Sequence, residues 1–142
     1  MTNPEAMRSI SLRRTEAGSF RAVNARGGEL DFGSGGDQRF TPVELLLTAI
    51  AGCSAIDVDI ITSRRCEPSS FEVTASGEKL RDEQHNHMGP ITVRFEVTFP
   101  EGEAGDAARA VLPDAVELSH DRLCTVSRTV QLGADVTMDI AD

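Results

Sequence analysis

The feature that most constrains the fold of this chain is its longest apolar stretch. Twelve residues from Leu45 to Ile56 carry no charge and consist mainly of Leu, Ala and Ile. The preceding residues 41–44, Thr-Pro-Val-Glu, form a capping box with proline at the first helical position, so a helix is predicted from here to Ser63 or Arg64, before Pro68. Because such a helix is apolar all round, we expect it to be buried on nearly every side.

The remaining sequence predicts short strands and two further helices. Glycine-separated strands are predicted over 9–14, 20–25 and 29–32, and alternating strands over 71–76 and 91–99, joined by an exposed polar loop over 81–89. A helix is predicted over 104–118, kinked or delayed by Pro113. A short helix that is capped by Ser119 and contains Cys124 follows it. The last predicted element is a strand over 129–140.

Helices segregated from a mainly antiparallel sheet define the α+β class. We expect one domain over residues 1–142, with a second subunit covering the long helix. The alternative is a monomer that wraps its own sheet around that helix.

Charge and composition exclude several classes of protein. The chain has 23 acidic and 14 basic residues and a net charge of −9, which disfavours binding to nucleic acid or to an anionic membrane. Residues 1–5 show no signal-peptide pattern, and a twelve-residue apolar stretch is too short to cross a bilayer. Three widely spaced cysteines do not resemble a secreted disulfide framework. We therefore expect a cytoplasmic protein with reduced thiols.

Cys53 and Cys124 are the candidate reactive residues. Cys53 lies within the long helix on a face shared with Ile50, Ile56 and Ile60, and its small neighbours leave room around the thiol. Cys124 follows its predicted helix start closely, where backbone N–H groups favour a thiolate, and Arg122 and Arg128 are within one turn. Free cysteines are often simply packed in a core, so core packing and redox chemistry both remain open at this point.

The third cysteine and the three histidines match no functional pattern as closely as Cys53 and Cys124 do. Cys66 stands at the polar end of the long helix and is interpreted as a bystander. His85 and His87 lie in a polar loop whose spacing matches no standard zinc signature, and His120 is a weak candidate base for Cys124. No phosphate-binding or dinucleotide-binding motif is present, so no metal or organic cofactor is expected.

Two segments resemble the OsmC/Ohr family of hydroperoxide-resistance proteins. They are residues 41–58, TPVELLLTAIAGCSAIDV, and residues 117–127, ELSHDRLCTVS, and the resemblance spans nearly the whole chain. It implies an OsmC-like fold, an intertwined homodimer with antiparallel sheets wrapped around central helices. It also implies a cofactor-free, thiol-dependent peroxidase acting on organic hydroperoxides, with Cys53 as the peroxidatic and Cys124 as the resolving cysteine. A dithiol or a lipoyl-bearing protein would be the reductant.

The sequence departs from the best-characterised peroxidase branch at one position. That branch has a glutamate directly after the helix-starting proline, whereas here Val43 occupies that place and Glu44 follows, about 100° further around the helix. The branch also pairs its glutamate with an arginine, for which Arg21 and Arg39 are candidates. An alternative function is therefore a non-catalytic binding module for a small apolar ligand at the dimer interface. A third is a dimer whose thiols only pack.

Overall fold

The computed structural model describes residues 3–141. In order, the elements are a short 3-10 helix Pro4–Ala6, strands β1 Ile10–Glu16, β2 Ser19–Asn24 and β3 Glu29–Gly33, helix α1 Pro42–Ser63, strands β4 Ser70–Arg81 and β5 Asn86–Thr98, helix α2 Glu103–Leu118, a π-helix Ser119–Leu123, and helix α3 Thr125–Leu132. The chain divides into two compact units, with the boundary between Leu46 and Leu47 in α1, and each is described by itself.

The first unit is a three-stranded antiparallel sheet in the order β1-β2-β3, which confirms the three strands predicted before the long helix. A tight turn at Gly18, whose φ is 74°, connects β1 to β2. Phe20 and Phe32 are directly paired across β2 and β3 and stack with ring centroids 6.0 Å apart. This cross-strand pair fixes the register of the two strands.

The start of α1 is the predicted capping box. The Thr41 N–H donates to Glu44 Oε1 over 2.9 Å, and the Glu44 N–H donates to Thr41 Oγ1 over 3.2 Å. Two N–H groups that would otherwise lack partners at the helix start are thereby satisfied. The helix ends at Ser63, as predicted.

The burial of α1 differs from the expectation. Its buried side chains recur every fourth residue, at Ile50, Ser54, Val58 and Thr62, and form one stripe. Ile56 is 63% exposed and Ile60 is 49% exposed, although the sequence placed both on the face of Cys53. Among the described residues, α1 is therefore buried along one narrow face rather than on nearly every side.

At 22 residues, α1 is longer than the twelve-residue uncharged stretch on which the sequence argument about membranes was based. Among the described residues it is the one helix long and apolar enough to cross a membrane, with a mean hydropathy of 1.8 over its most apolar window. Length and composition alone are weak grounds, because the core helices of soluble proteins pass the same test.

In the second unit, β4 and β5 form a long antiparallel hairpin. Both predicted strands are confirmed, but they extend well beyond the alternating segments, since Arg81 pairs with Asn86. The connecting loop is therefore residues 82–85 rather than 81–89. Asp82 closes it by accepting hydrogen bonds from the N–H groups of Gln84 and His85. Together with the helices, the two antiparallel sheets confirm the α+β class.

Helix α2 packs closely on the end of β5. Gly105 is buried in its first turn, where an added Cβ would overlap the Pro100 carbonyl oxygen and lie 2.9 Å from the Pro100 carbonyl carbon. Arg109 reaches back to donate to the Phe99 carbonyl over 3.1 Å. The helix continues through Pro113 to Leu118, as its predicted range required.

The predicted C-terminal strand over 129–140 is wrong. Helix α3 runs to Leu132 and is ended by Gly133, whose φ of 66° lies in the left-handed region. Residues 134–141 have no regular secondary structure, and Val136, Met138 and Ile140 are exposed. Alternation of apolar and polar residues specifies a strand only where another strand supplies the hydrogen bonds, and the described chain supplies none to this segment.

Candidate functional site: two thiols at a helix start

The fold brings Cys53 and Cys124 together. Cys53 lies in the middle of α1, Cys124 lies between the π-helix and α3, and their thiols are within hydrogen-bonding contact. Both are free thiols. Cys53 is half-buried, whereas Cys124 is 3% exposed. The more accessible thiol is therefore the one on the long helix.

Cys124 is the residue that caps α3, not a residue inside a helix as the sequence predicted. The Ser127 N–H donates to Cys124 Sγ over 3.4 Å, as is typical of the third residue after a cap. Ser127 Oγ lies 3.3 Å from the same sulfur, with the thiol as donor. The Ser54 hydroxyl on α1 also hydrogen-bonds this sulfur. Cys124 Sγ thus accepts one backbone N–H and has two serine hydroxyls in hydrogen-bonding contact.

Cys53 faces the same helix start. The backbone N–H groups of Thr125 and Val126, the first two residues of α3, interact with its sulfur. The first turn of α3 therefore directs its unpaired N–H groups at both cysteines, an arrangement that favours negative charge at this place.

The two thiols have opposite shifts in acidity. Burial raises the pKa of Cys53, and the contact with Cys124 adds to this rise, while the N–H groups of Val126 and Thr125 oppose it. Burial also acts to raise the pKa of Cys124, but the donors from Ser127 and Ser54 and the Cys53 thiol outweigh it, so this pKa is lowered. These donors are neutral groups, whereas Arg122 and Arg128 are exposed. The pKa of Cys124 is therefore shifted down and that of Cys53 up, relative to an ordinary cysteine.

A hydrogen bond ties α1 to the segment that carries Cys124. Ser119 Oγ donates to Asp57 Oδ2 over 2.9 Å, and Ser119 has no exposed surface. Asp57 is one helical turn after Cys53, and Ser119 is the first residue of the π-helix that ends at Leu123. The Cys124 N–H closes that helix on the Ser119 carbonyl over 2.8 Å. The bond thus holds the two cysteine-bearing elements side by side.

The other predicted residues lie elsewhere. His120, the weak candidate base, bonds Asp121 through Nδ1 over 2.9 Å and lies 3.5 Å from Gln131 Nε2. Cys66 is half-buried, and its thiol donates to the Glu67 carbonyl. Among residues 3–141, no three His, Cys, Asp or Glu side chains are arranged to hold a metal ion.

The candidate activating arginines have acidic partners within the first unit. Arg21 donates to both oxygens of Asp31, over 2.7 and 3.1 Å, and lies 3.4 Å from Glu29. Arg39 pairs with Asp37 and lies 3.8 Å from Glu16. The Arg21 guanidinium lowers the pKa of Asp31, and that of Arg39 lowers the pKa of Asp37.

Sequence reasoning missed three residues of the site. Ser54 and Asp57 belong to no sequence motif that signals their contacts with Cys124 and Ser119. Ser127 is the one that a sequence signal could have found. It stands three residues after Cys124, the spacing at which a capping side chain accepts an N–H.

The α+β fold is that of the OsmC-like proteins, and the chain belongs to this family, whose model matches residues 35–139. It is 32% identical to the Escherichia coli K12 protein YhfA over 106 residues, which cover 74% of this chain and 75% of YhfA. The family's proteins are soluble.

Solved structures confirm the OsmC-like fold. An OsmC-like protein from Mycoplasma pneumoniae aligns with a TM-score of 0.70 at 14% identity, covering 89% of each chain. The organic hydroperoxide resistance protein OhrB of Bacillus subtilis aligns with a TM-score of 0.51 at 17% identity, covering 87% of this chain and 90% of OhrB. At these identities the likeness concerns the fold.

Proposed function

We propose that this protein is a thiol-dependent peroxidase that reduces organic hydroperoxides through Cys53 and Cys124. The observation that carries the proposal is the contact between two free thiols at the start of α3. Core packing does not require two cysteines from distant parts of the sequence to be in contact, because any small apolar residue could fill the same space. Their meeting is what a disulfide-forming reaction requires.

The roles follow from access. Cys53 is the more exposed thiol, so it is the one that a peroxide reaches and that forms a sulfenic acid. Cys124 then attacks that sulfur, giving a disulfide and water. In total, two thiols and one hydroperoxide yield one disulfide, one alcohol and one water.

The surroundings of Cys53 favour a lipophilic substrate. Ile56 and Ile60, three and seven residues further along α1, are exposed in the single chain and present apolar surface beside the thiol. An alkyl or aryl group can cover this surface, whereas hydrogen peroxide gains nothing from it. Resistance to organic hydroperoxides, after which OhrB is named, fits this substrate class.

The proposal also covers the oligomeric state of the protein, its cellular location and its reductant. Residues 1–142 form one OsmC-like domain, and a second copy covers the exposed face of α1 to make a homodimer. The exposed apolar side chains of α1 and of the segment 134–141 support this, because a monomer seldom leaves so many large apolar groups in water. The protein is cytoplasmic, and a dithiol or lipoyl-bearing protein reduces its disulfide.

The test is to treat the reduced protein with one equivalent of cumene hydroperoxide and map disulfides by mass spectrometry. We expect a bond between Cys53 and Cys124, abolished by Cys53→Ser and unaffected by Cys66→Ser, the matched control at the third cysteine. If both thiols stay reduced in excess peroxide, the peroxidase proposal is wrong.

A second function is a non-catalytic binding module for a small apolar ligand at the dimer interface. The observation that favours it is the raised pKa of Cys53, which makes that thiol a poor nucleophile by itself. In that case, cumyl alcohol, the unreactive analogue of the peroxide, should bind equally well to wild type and to Cys53→Ser.

A further inference from the structure

We propose that helix α3 is an oxidation-sensitive segment. While both cysteines are reduced, the sulfurs of Cys53 and Cys124 cap its first turn. A disulfide between them removes this cap, so that α3 and the residues after it loosen. The inference rests on the proposed function only for the physiological oxidant, because a thiol reagent can form the same bond.

Three N–H groups at the start of α3 face sulfur. Cys124 is the N-cap residue, and its Sγ accepts the Ser127 N–H over 3.4 Å. The N–H groups of Thr125 and Val126 interact with the sulfur of Cys53. The first N–H groups of a helix have no partner within the helix itself. The two sulfurs are therefore the acceptors that the first turn of α3 depends on.

Helix α3 has little else to hold it in place. It has eight residues and none of its side chains is buried; Val130 is 46% exposed and Leu132 is 66% exposed. Beyond the first turn, a contact of 3.5 Å joins Gln131 Nε2 to His120 Nε2, and both residues are exposed. Helices shorter than about 12 residues are marginal in water without packing. The stability of α3 therefore depends on its first turn.

The chain just before α3 is held independently of the sulfurs. Ser119 is fully buried, and its Oγ donates to Asp57 Oδ2 on α1 over 2.9 Å. The Cys124 N–H donates to the Ser119 carbonyl over 2.8 Å. Oxidation of sulfur leaves both of these bonds intact. Cys124 is thus the boundary between a segment that stays in place and one that is released.

Disulfide formation acts on both capping sulfurs at once. The sulfurs pass from hydrogen-bonding contact to covalent distance, so their positions relative to the N–H groups change. The bond also excludes the thiolate form, and a neutral sulfur is a weaker acceptor than a charged one. The oxidised protein therefore has a loosened surface segment beside the bond that a reductant must attack.

The oxidant for the test is diamide, an azo compound that reacts with thiols. One thiolate adds to the N=N bond, and the second thiolate attacks the sulfur of that adduct and expels the nitrogen group. Two thiols and one diamide thus yield one disulfide and one hydrazine, which carries the two protons.

The first test compares hydrogen exchange in the reduced and the diamide-oxidised protein, both in a Cys66→Ser background. Mass spectrometry confirms the bond between Cys53 and Cys124 and reads the exchange. We expect the amide protons of residues 128–132 to exchange roughly fivefold faster or more after oxidation, the effect of one lost cap, and those of α2 to be unchanged. Equal exchange of α3 in both states, with the bond present, overturns the inference.

The second test changes the cap without the disulfide, in the same background. Cys124→Ser retains a good N-cap but cannot form the bond, so α3 should stay protected with or without diamide. Cys124→Ala lacks the cap, so its α3 should exchange faster than that of Cys124→Ser with no oxidant present. Equal protection of α3 in these two variants would refute the cap. If Cys124→Ala does not fold, the comparison of reduced and oxidised protein still decides.

Cumene hydroperoxide distinguishes a failure of this inference from a failure of the proposed function. A protein that forms the disulfide with diamide but not with the peroxide is not the proposed peroxidase, yet the exchange of α3 still tests the cap. If neither reagent joins Cys53 to Cys124, both proposals are wrong, because each depends on that bond.

Discussion

Removal of the hydrogen bond between Ser119 and Asp57 should lower the stability of the protein and loosen the contact between Cys53 and Cys124. The Ser119 hydroxyl is fully buried and donates to a carboxylate over 2.9 Å. A hydrogen bond to a charged group contributes about 1.5–3 kcal/mol, and because Asp57 is only half-buried, water replaces part of it. We therefore expect a coupling energy of about 1–2 kcal/mol between these two side chains.

A double-mutant cycle measures this energy. The free energy of unfolding is obtained by urea titration of wild type, Ser119→Ala, Asp57→Ala and the double variant, all reduced. The cycle cancels the gain in helix propensity that alanine brings at position 57. Asp59→Ala is the matched control, since Asp59 is an exposed acid on the same helix, and it should change stability by no more than about 0.5 kcal/mol.

The functional readout is the yield of the disulfide between Cys53 and Cys124 after one equivalent of peroxide. Ser119→Ala should lower this yield at urea concentrations where the protein is still folded, because the π-helix is no longer held against α1. A coupling energy below about 0.3 kcal/mol, within the additivity expected of independent sites, would refute the reasoning.

Two further predictions concern packing and assembly. Gly105→Ala should destabilise the protein by about 1–3 kcal/mol despite the better helix propensity of alanine, because the added Cβ would overlap the Pro100 carbonyl oxygen. As a control, Ala104→Gly at the exposed neighbouring position should cost only about 1 kcal/mol. A urea titration in which Gly105→Ala is more stable than wild type would contradict the close contact with Pro100. Ile60→Glu should convert a dimer to monomer in light scattering, and an unchanged mass would show that this face is not covered by a second copy.

Local signals determined which elements could be predicted. The start of α1 was correct because the capping box lies within four consecutive residues, and the β4 and β5 strands were correct because alternation is strong in both. The strand over 129–140 failed because Val136, Met138 and Ile140 alternate without a neighbouring strand in the described chain. A strand depends on its partner as much as on its own residues.

The sequence indicated which cysteines form the site but not which residues hydrogen-bond to them. Cys53 and Cys124 stand in recognisable segments, whereas the contacts of Ser54 with Cys124 and of Asp57 with Ser119 join distant parts of the chain. The π-helix also shifts Cys124 from the interior of a helix to its cap, and this change of position brings the Ser127 N–H to the sulfur. Hydrophobic periodicity carries no information about such an insertion.

The N–H groups in the first turn of α3 have a consequence for the redox potential of the proposed disulfide. They stabilise a thiolate, which can form only while the pair is reduced, since a disulfide is neutral. Every 1.4 kcal/mol of that stabilisation raises the potential of the couple by about 30 mV. The same donors that lower the pKa of Cys124 therefore make the proposed disulfide easier to reduce.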